Sequence, residues 1–117
     1  METRVERRLK LVLFLAAAFA FVVAVLPHPP RLPGDPSDKV MHVLAFLALG
    51  TLAAAAFPRR SIVWLTVALA FYGATIELIQ AIPTLHRDSE IADFAADVIA
   101  GLLAVSSVRL LATHNRQ

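Results

Sequence analysis

The charges of this chain are gathered into short clusters, and long apolar stretches run between them. Charged residues group at the start, near residues 31–39, at Arg59 and Arg60, near residues 86–93 and at the end. A helix that crosses the hydrocarbon core of a bilayer needs about 20 predominantly apolar residues, with a lower limit near 17. Repeated runs of that order, punctuated by charge, are the layout of a chain threaded several times through a membrane. The composition agrees. With 117 residues there is enough chain for one domain. A hydrophobic share of 58% and a mean hydropathy of +0.69 are too apolar for an ordinary soluble domain of this size. The pI of about 9.7 therefore does not point to a nucleic-acid partner. The basic residues serve as topology signals and meet anionic lipid. With no cysteine, disulfides, thiolate nucleophiles and Cys-based zinc sites are excluded.

The expected fold is all-α: a four-helix transmembrane bundle with short loops, a single domain over residues 1–117, and helices at about 9–26, 38–57, 62–82 and 90–112. The first apolar run, Leu11 to Leu26, follows Arg4, Arg7, Arg8 and Lys10 and stops at Pro27-His28-Pro29-Pro30, where a helix is not easily continued. Leu9 and Lys10 extend it, because the lysine ammonium can snorkel to the interface. A basic segment before an apolar one also fits a cleaved signal peptide. Against this, the small-x-small triplet Ala18-Phe19-Ala20 lies inside the run and not after it. Residues 27–39 are proline-rich and favour a stiff extended segment. Ser37, Ser61, and Asp88 or Ser89 are helix caps. Pro58-Arg59-Arg60 is a tight turn, Pro83 stops the third helix, and the tail Thr113 to Gln117 is expected to fray.

Lys and Arg placement gives the orientation. With the N-terminus inside, Arg4, Arg7, Arg8, Lys10, Arg59, Arg60, Arg109 and Arg116 fall on the inner side, and only Arg31, Lys39 and Arg87 on the outer. That satisfies the positive-inside rule with both termini cytoplasmic in a bacterial inner membrane.

An ionisable side chain within a span costs about 2.5–3.5 kcal/mol on insertion scales, so each one calls for a reason. The candidates are His42, Glu77, Gln80, Asp93 and Asp97. All lie within about two turns of a helix end, and all those ends are on the outer side. On the third helix Thr66, Ala70, Gly73, Glu77 and Gln80 share a face; on the fourth Asp93, Asp97, Gly101 and Ala104 do; on the second Asp38, His42 and Ala45 do. Small residues let membrane helices approach, and polar residues bridge them. Burying these stripes against one another places the polar groups around one outward-facing pocket, with Lys39 and Arg87 at its rim. Simpler roles stand beside this. His42 can bond Asp38 one turn earlier. Glu77 can pair with Arg87 or Lys39. Asp93 suits a helix first turn, and Gln80 is tolerated near an interface. His28, His86 and His114 fall in loops or the tail, and Trp64 fits an interfacial belt.

These same residues carry a resemblance. Asp38-Lys39-Val40-Met41-His42 with Phe46 one turn on, Glu77-Leu78-Ile79-Gln80, Arg87, and Asp93-Phe94-Ala95-Ala96-Asp97 followed by Gly101 resemble, in order and spacing, the VanZ-like family of bacterial membrane proteins. That family is named for a protein associated with resistance to the glycopeptide teicoplanin. The resemblance covers Asp38 to about Ala104. The chain departs from it at His86, where glycine is common, at Asp97, where asparagine is frequent, and in having Ala100 before Gly101.

Two functions fit. In the first, a non-enzymatic envelope protein binds a polar lipid head group, a lipid-linked cell-wall precursor or a glycopeptide. Lys39 and Arg87 meet phosphate or carboxylate, and His42, Glu77, Gln80 and the aspartates orient it. In the alternative, a membrane hydrolase or transferase acts on a lipid-linked phosphate or ester, with His42 and the carboxylates as acid and base. Phosphate-loop, H-E-x-x-H and G-x-S-x-G motifs are absent, which favours binding. No resident cofactor or metal is expected, although Asp93 and Asp97 at i, i+4 would suit a divalent cation.

Overall fold

The computed structural model describes residues 1–26, 38–82 and 91–115. These form four helices: α1 (Arg4–Val25), α2 (Asp38–Ala56), α3 (Ile62–Gln80) and α4 (Ile91–Asn115). Among the described residues α1, α3 and α4 are long and apolar enough to cross a membrane; the apolar part of α2, Val40–Ala56, is shorter and sits at the lower limit of about 17 residues.

Two helix ends differ from expectation. α1 begins at Arg4, not near residue 9, because Thr3 and Glu6 form a reciprocal capping box. The Thr3 Oγ1 accepts the Glu6 N–H at 3.0 Å, and the Glu6 carboxylate accepts the Thr3 N–H at 3.3 Å. The apolar run marked the part of the helix apolar enough to lie in lipid, and the helix itself starts earlier, in the charged segment. α4 likewise continues to Asn115. Thr113 to Asn115, placed in the tail by the sequence, are helical, and the Thr113 hydroxyl donates to the Arg109 carbonyl at 2.9 Å; residues 116 and 117 lie outside the described residues. The α2–α3 turn is as expected, with Ser61 capping α3 by accepting the Trp64 N–H at 3.0 Å. The segments around Ser37, Pro83, Asp88 and Ser89 lie outside the described residues.

α2 packs most closely on α4, and α3 also lies on α4, with α1 set against α2 and α3. Gly50 makes the α2–α4 contact possible. A Cβ there would stand 2.8 Å from the Ala104 Cβ and 3.0 Å from the Gly101 carbonyl oxygen. Gly101 in turn admits Leu69 of α3, and Gly73 of α3 admits the Phe46 ring of α2. Phe46, Leu49, Ala53, Ala54, Leu65, Leu69, Ala100 and Val105 are the buried apolar core. The large apolar side chains that remain exposed, such as Phe14, Phe19, Val63, Val67, Phe71, Leu103 and Leu110, cover the outside, where lipid tails would be their solvent.

α1 is the outermost helix, and only Leu13 and Ala24 on it are buried. Polar tethers hold it along its length. Tyr72 donates its hydroxyl to the Ala17 carbonyl at 2.6 Å, and Gln80 donates its amide to the Ala24 carbonyl at 2.9 Å. At the other end Arg59 makes a forked pair with the Glu6 carboxylate at 2.9 and 3.2 Å.

Candidate functional site

The stripe expected on α4 is buried in the structure, at Asp93, Asp97, Gly101 and Ala104; of the stripe expected on α3, Gly73, Glu77 and Gln80 are buried, whereas Thr66 and Ala70 are half-buried and Leu65 and Leu69 take the buried positions there. Their meeting with α2 brings His42, Glu77 and Asp97 together. These residues offer ligand atoms that all lie within 4.8 Å of one another. The His42 Nδ1 stands 3.4 Å from the Asp97 Oδ2 and 3.8 Å from the Glu77 Oε1. The cluster rests on a floor made by the Phe46 ring packed against Gly73, one helical turn below both His42 and Glu77.

Asp97 is the most enclosed member, at 0% exposure. Neither of its carboxylate oxygens accepts a hydrogen bond among the described residues, and the His42 Nδ1 makes none. A carboxylate removed from water without donors is costly, so it needs either a neutralising partner or a function. His42 does face it, but at 3.4 Å the contact is longer than a charge-assisted hydrogen bond of about 2.7–2.9 Å.

The other candidates divide. Gln80 does not serve the cluster through its amide, which is committed to the Ala24 carbonyl of α1. Its role in holding α1 was missed because sequence periodicity shows which face a residue is on, and not which neighbour it meets. Asp93 is buried one turn from Asp97 on the same face but is not one of the three groups that converge. The three groups that converge come from three helices, whereas Asp93 and Asp97 are neighbours along one. His42 turns toward α3 and α4 and approaches their carboxylates. Asp38 and Lys39 lie in the first turn of α2, and their side chains are outside the described set, as is all of Arg87.

The opposite end of the bundle is basic. Lys10, Phe57, Arg59 and Arg60 line a cleft of about 360 Å³. Its cations are already engaged: Lys10 bonds Glu2 at 2.8 Å and lies over the Phe57 ring, Arg59 bonds Glu6, and Arg60 lies over Trp64. The Lys10 hydrogen bond holds the Glu2 carboxyl below its ordinary range. Arg109, counted in the sequence only as an inner charge, donates to the Phe57 carbonyl at 2.8 Å, which also accepts the Arg60 N–H at 3.2 Å just past the end of α2. An arginine embedded in an apolar helix was the signal that it needed such a partner.

Compared with known protein families, curated proteins and solved structures, the chain shows no match.

Proposed function

We propose that this is a VanZ-like integral membrane protein of the bacterial inner membrane, with both termini cytoplasmic, that binds the polar head of an amphiphilic envelope ligand at the His42–Glu77–Asp97 cluster. The observation that carries the reading is the convergence of three ionisable groups from three helices around a fully buried Asp97 whose oxygens accept no hydrogen bond among the described residues. Structural glue would pair its charges closely; here the 3.4 Å approach of His42 leaves the Asp97 carboxylate poised for another group. The ligand class is a phosphorylated lipid or lipid-linked cell-wall precursor, or a glycopeptide that competes for it. Its apolar part lies along the lipid-facing helices, and its head enters at the cluster end. Lys39 and Arg87, the basic residues next to the His42 and Asp97 segments in the sequence, are the candidates to meet its anionic head.

Native mass spectrometry of the protein purified gently from its own membrane tests this, beside Glu77→Ala and Asp97→Ala. A co-purifying amphiphile that the variants lose is the expected result. Bare protein in all three, or equal retention in all three, would overturn the proposal. The same spectra separate binding from catalysis on a lipid-linked phosphate or ester, because a hydrolase would leave product in the wild-type lipid extract that Asp97→Ala does not form.

A further inference from the structure

We infer that His42, Glu77 and Asp97 together hold one divalent transition-metal cation. The inference deepens the reading above, because it says how that site can receive an anionic head group. Two buried carboxylates repel a phosphate more than one imidazole can attract it. A bound divalent cation reverses the sign of the site and makes it attractive, since such an ion is the largest local charge wherever it sits.

The geometry fits. Imidazole nitrogen and carboxylate oxygen bind zinc at about 2.0–2.2 Å, so donors at the corners of a tetrahedron stand roughly 3.3–3.6 Å apart. The His42 Nδ1 is 3.4 Å from the Asp97 Oδ2 and 3.8 Å from the Glu77 Oε1, close to that spacing before any contraction around an ion. The unsatisfied oxygens of Asp97, at 0% exposure, are an independent sign. An imidazolium proton on Nδ1 can be directed at only one of the two carboxylates, whereas a cation between the groups serves all three donors. One nitrogen with two carboxylate oxygens suits zinc or manganese better than calcium, which takes six to eight oxygens. Three protein donors leave at least one coordination position for water or for an oxygen of the ligand, the arrangement of exchangeable sites.

The probe is Co²⁺ alone, titrated into detergent-purified full-length protein that carries no polyhistidine tag and has been stripped with a chelator. The expected result is one Co²⁺ per chain with an intense visible d–d band, displaced by Zn²⁺. Loss of an outer-shell partner weakens metal sites by about 10–100-fold, so His42→Ala and Asp97→Ala should weaken this one by at least about 100-fold. A variant in which His28, His86 and His114 are replaced keeps the band, which assigns it to His42 even if the single variants fold poorly. Folded wild-type protein that gives no such band would overturn the inference, as would a band lost in the triple-histidine variant. The two proposals fail separately. An amphiphile retained by metal-free wild type and lost by Asp97→Ala removes the metal and leaves the binding reading. Tight Co²⁺ binding with no co-purifying amphiphile does the reverse.

Discussion

Replacing Gly50 with alanine should separate the two helices that carry His42 and Asp97. The new Cβ would meet the Ala104 Cβ at 2.8 Å, the Gly101 carbonyl oxygen at 3.0 Å and the Gly101 Cα at 3.3 Å. Carbon atoms rest at about 3.5–4.0 Å, so α2 and α4 must part by roughly 0.7–1.2 Å. Two of the three obstructing atoms are backbone, and the third is fixed to it, so no side-chain rotation relieves the contact. In an unobstructed helix, glycine to alanine gains about 0.8–1 kcal/mol of helix propensity. Overpacking costs about 1–3 kcal/mol. With three obstructing atoms that cannot swing away, the overpacking cost falls in the upper part of that range and the expected net is a loss of ~1–2 kcal/mol. Gly73→Ala is the internal comparison. There the Cβ meets the edge of the Phe46 ring at 3.1 and 3.4 Å, and a ring can tilt, so its change should be smaller. Thermal unfolding of the three proteins in one detergent measures both. A Gly50→Ala protein as stable as wild type, or less affected than Gly73→Ala, would refute the close α2–α4 approach.

Three further outcomes are expected. Gln80→Leu removes the bond to the Ala24 carbonyl; interhelical hydrogen bonds in membranes average about 0.6 kcal/mol with a maximum near 1.7, so the unfolding free energy should fall by about that amount, with faster amide exchange near the end of α1. Arg109→Ala removes the shorter of the two hydrogen bonds to the Phe57 carbonyl and leaves the Arg60 N–H at 3.2 Å; a hydrogen bond to a charged group is worth about 1.5–3 kcal/mol, and exchange in the last turn of α2 should rise while α3 is unchanged. Reporter fusions at Gly34 and Pro58 should report outside and inside respectively, and the reverse pattern would put the cluster on the cytoplasmic face.

The helices were legible because lipid imposes a length and proline imposes stops. Pro58 and Ser61 mark the α2–α3 turn in the sequence, and the structure turns there. The start of α1 was not legible from hydropathy, since Arg4 to Lys10 are charged and their helicity is set by the Thr3–Glu6 capping box. The stripe Gly73–Glu77–Gln80 and its counterpart Asp93–Asp97–Gly101 could be placed on their faces by periodicity, and both faces are buried. Periodicity fixes direction around one axis but not the relative rotation or height of three axes. That is why it grouped Gln80 and Asp93 with the site, whereas Gln80 reaches α1 and Asp93 stands a turn away from the three groups that meet. The contribution of α2 had the same limit: His42 alone gave no reason to expect Asp97, and the close approach of α2 to α4, through Gly50 and Gly101, brings the two within 3.4 Å.

The central claim is that His42, Glu77 and Asp97 are arranged to receive a ligand rather than to hold the helices together. The most direct test is the unfolding free energy of Asp97→Asn against wild type, both stripped of metal and lipid. Removing one partner of a buried ion pair that serves structure costs about 3–5 kcal/mol. A site that keeps an unsatisfied carboxylate for function gives up stability to do so, and neutralising it costs little or even stabilises the empty protein. The account predicts that empty Asp97→Asn is within about 1 kcal/mol of wild type or above it. A loss of ~3–5 kcal/mol would contradict it and make the cluster a structural ion pair.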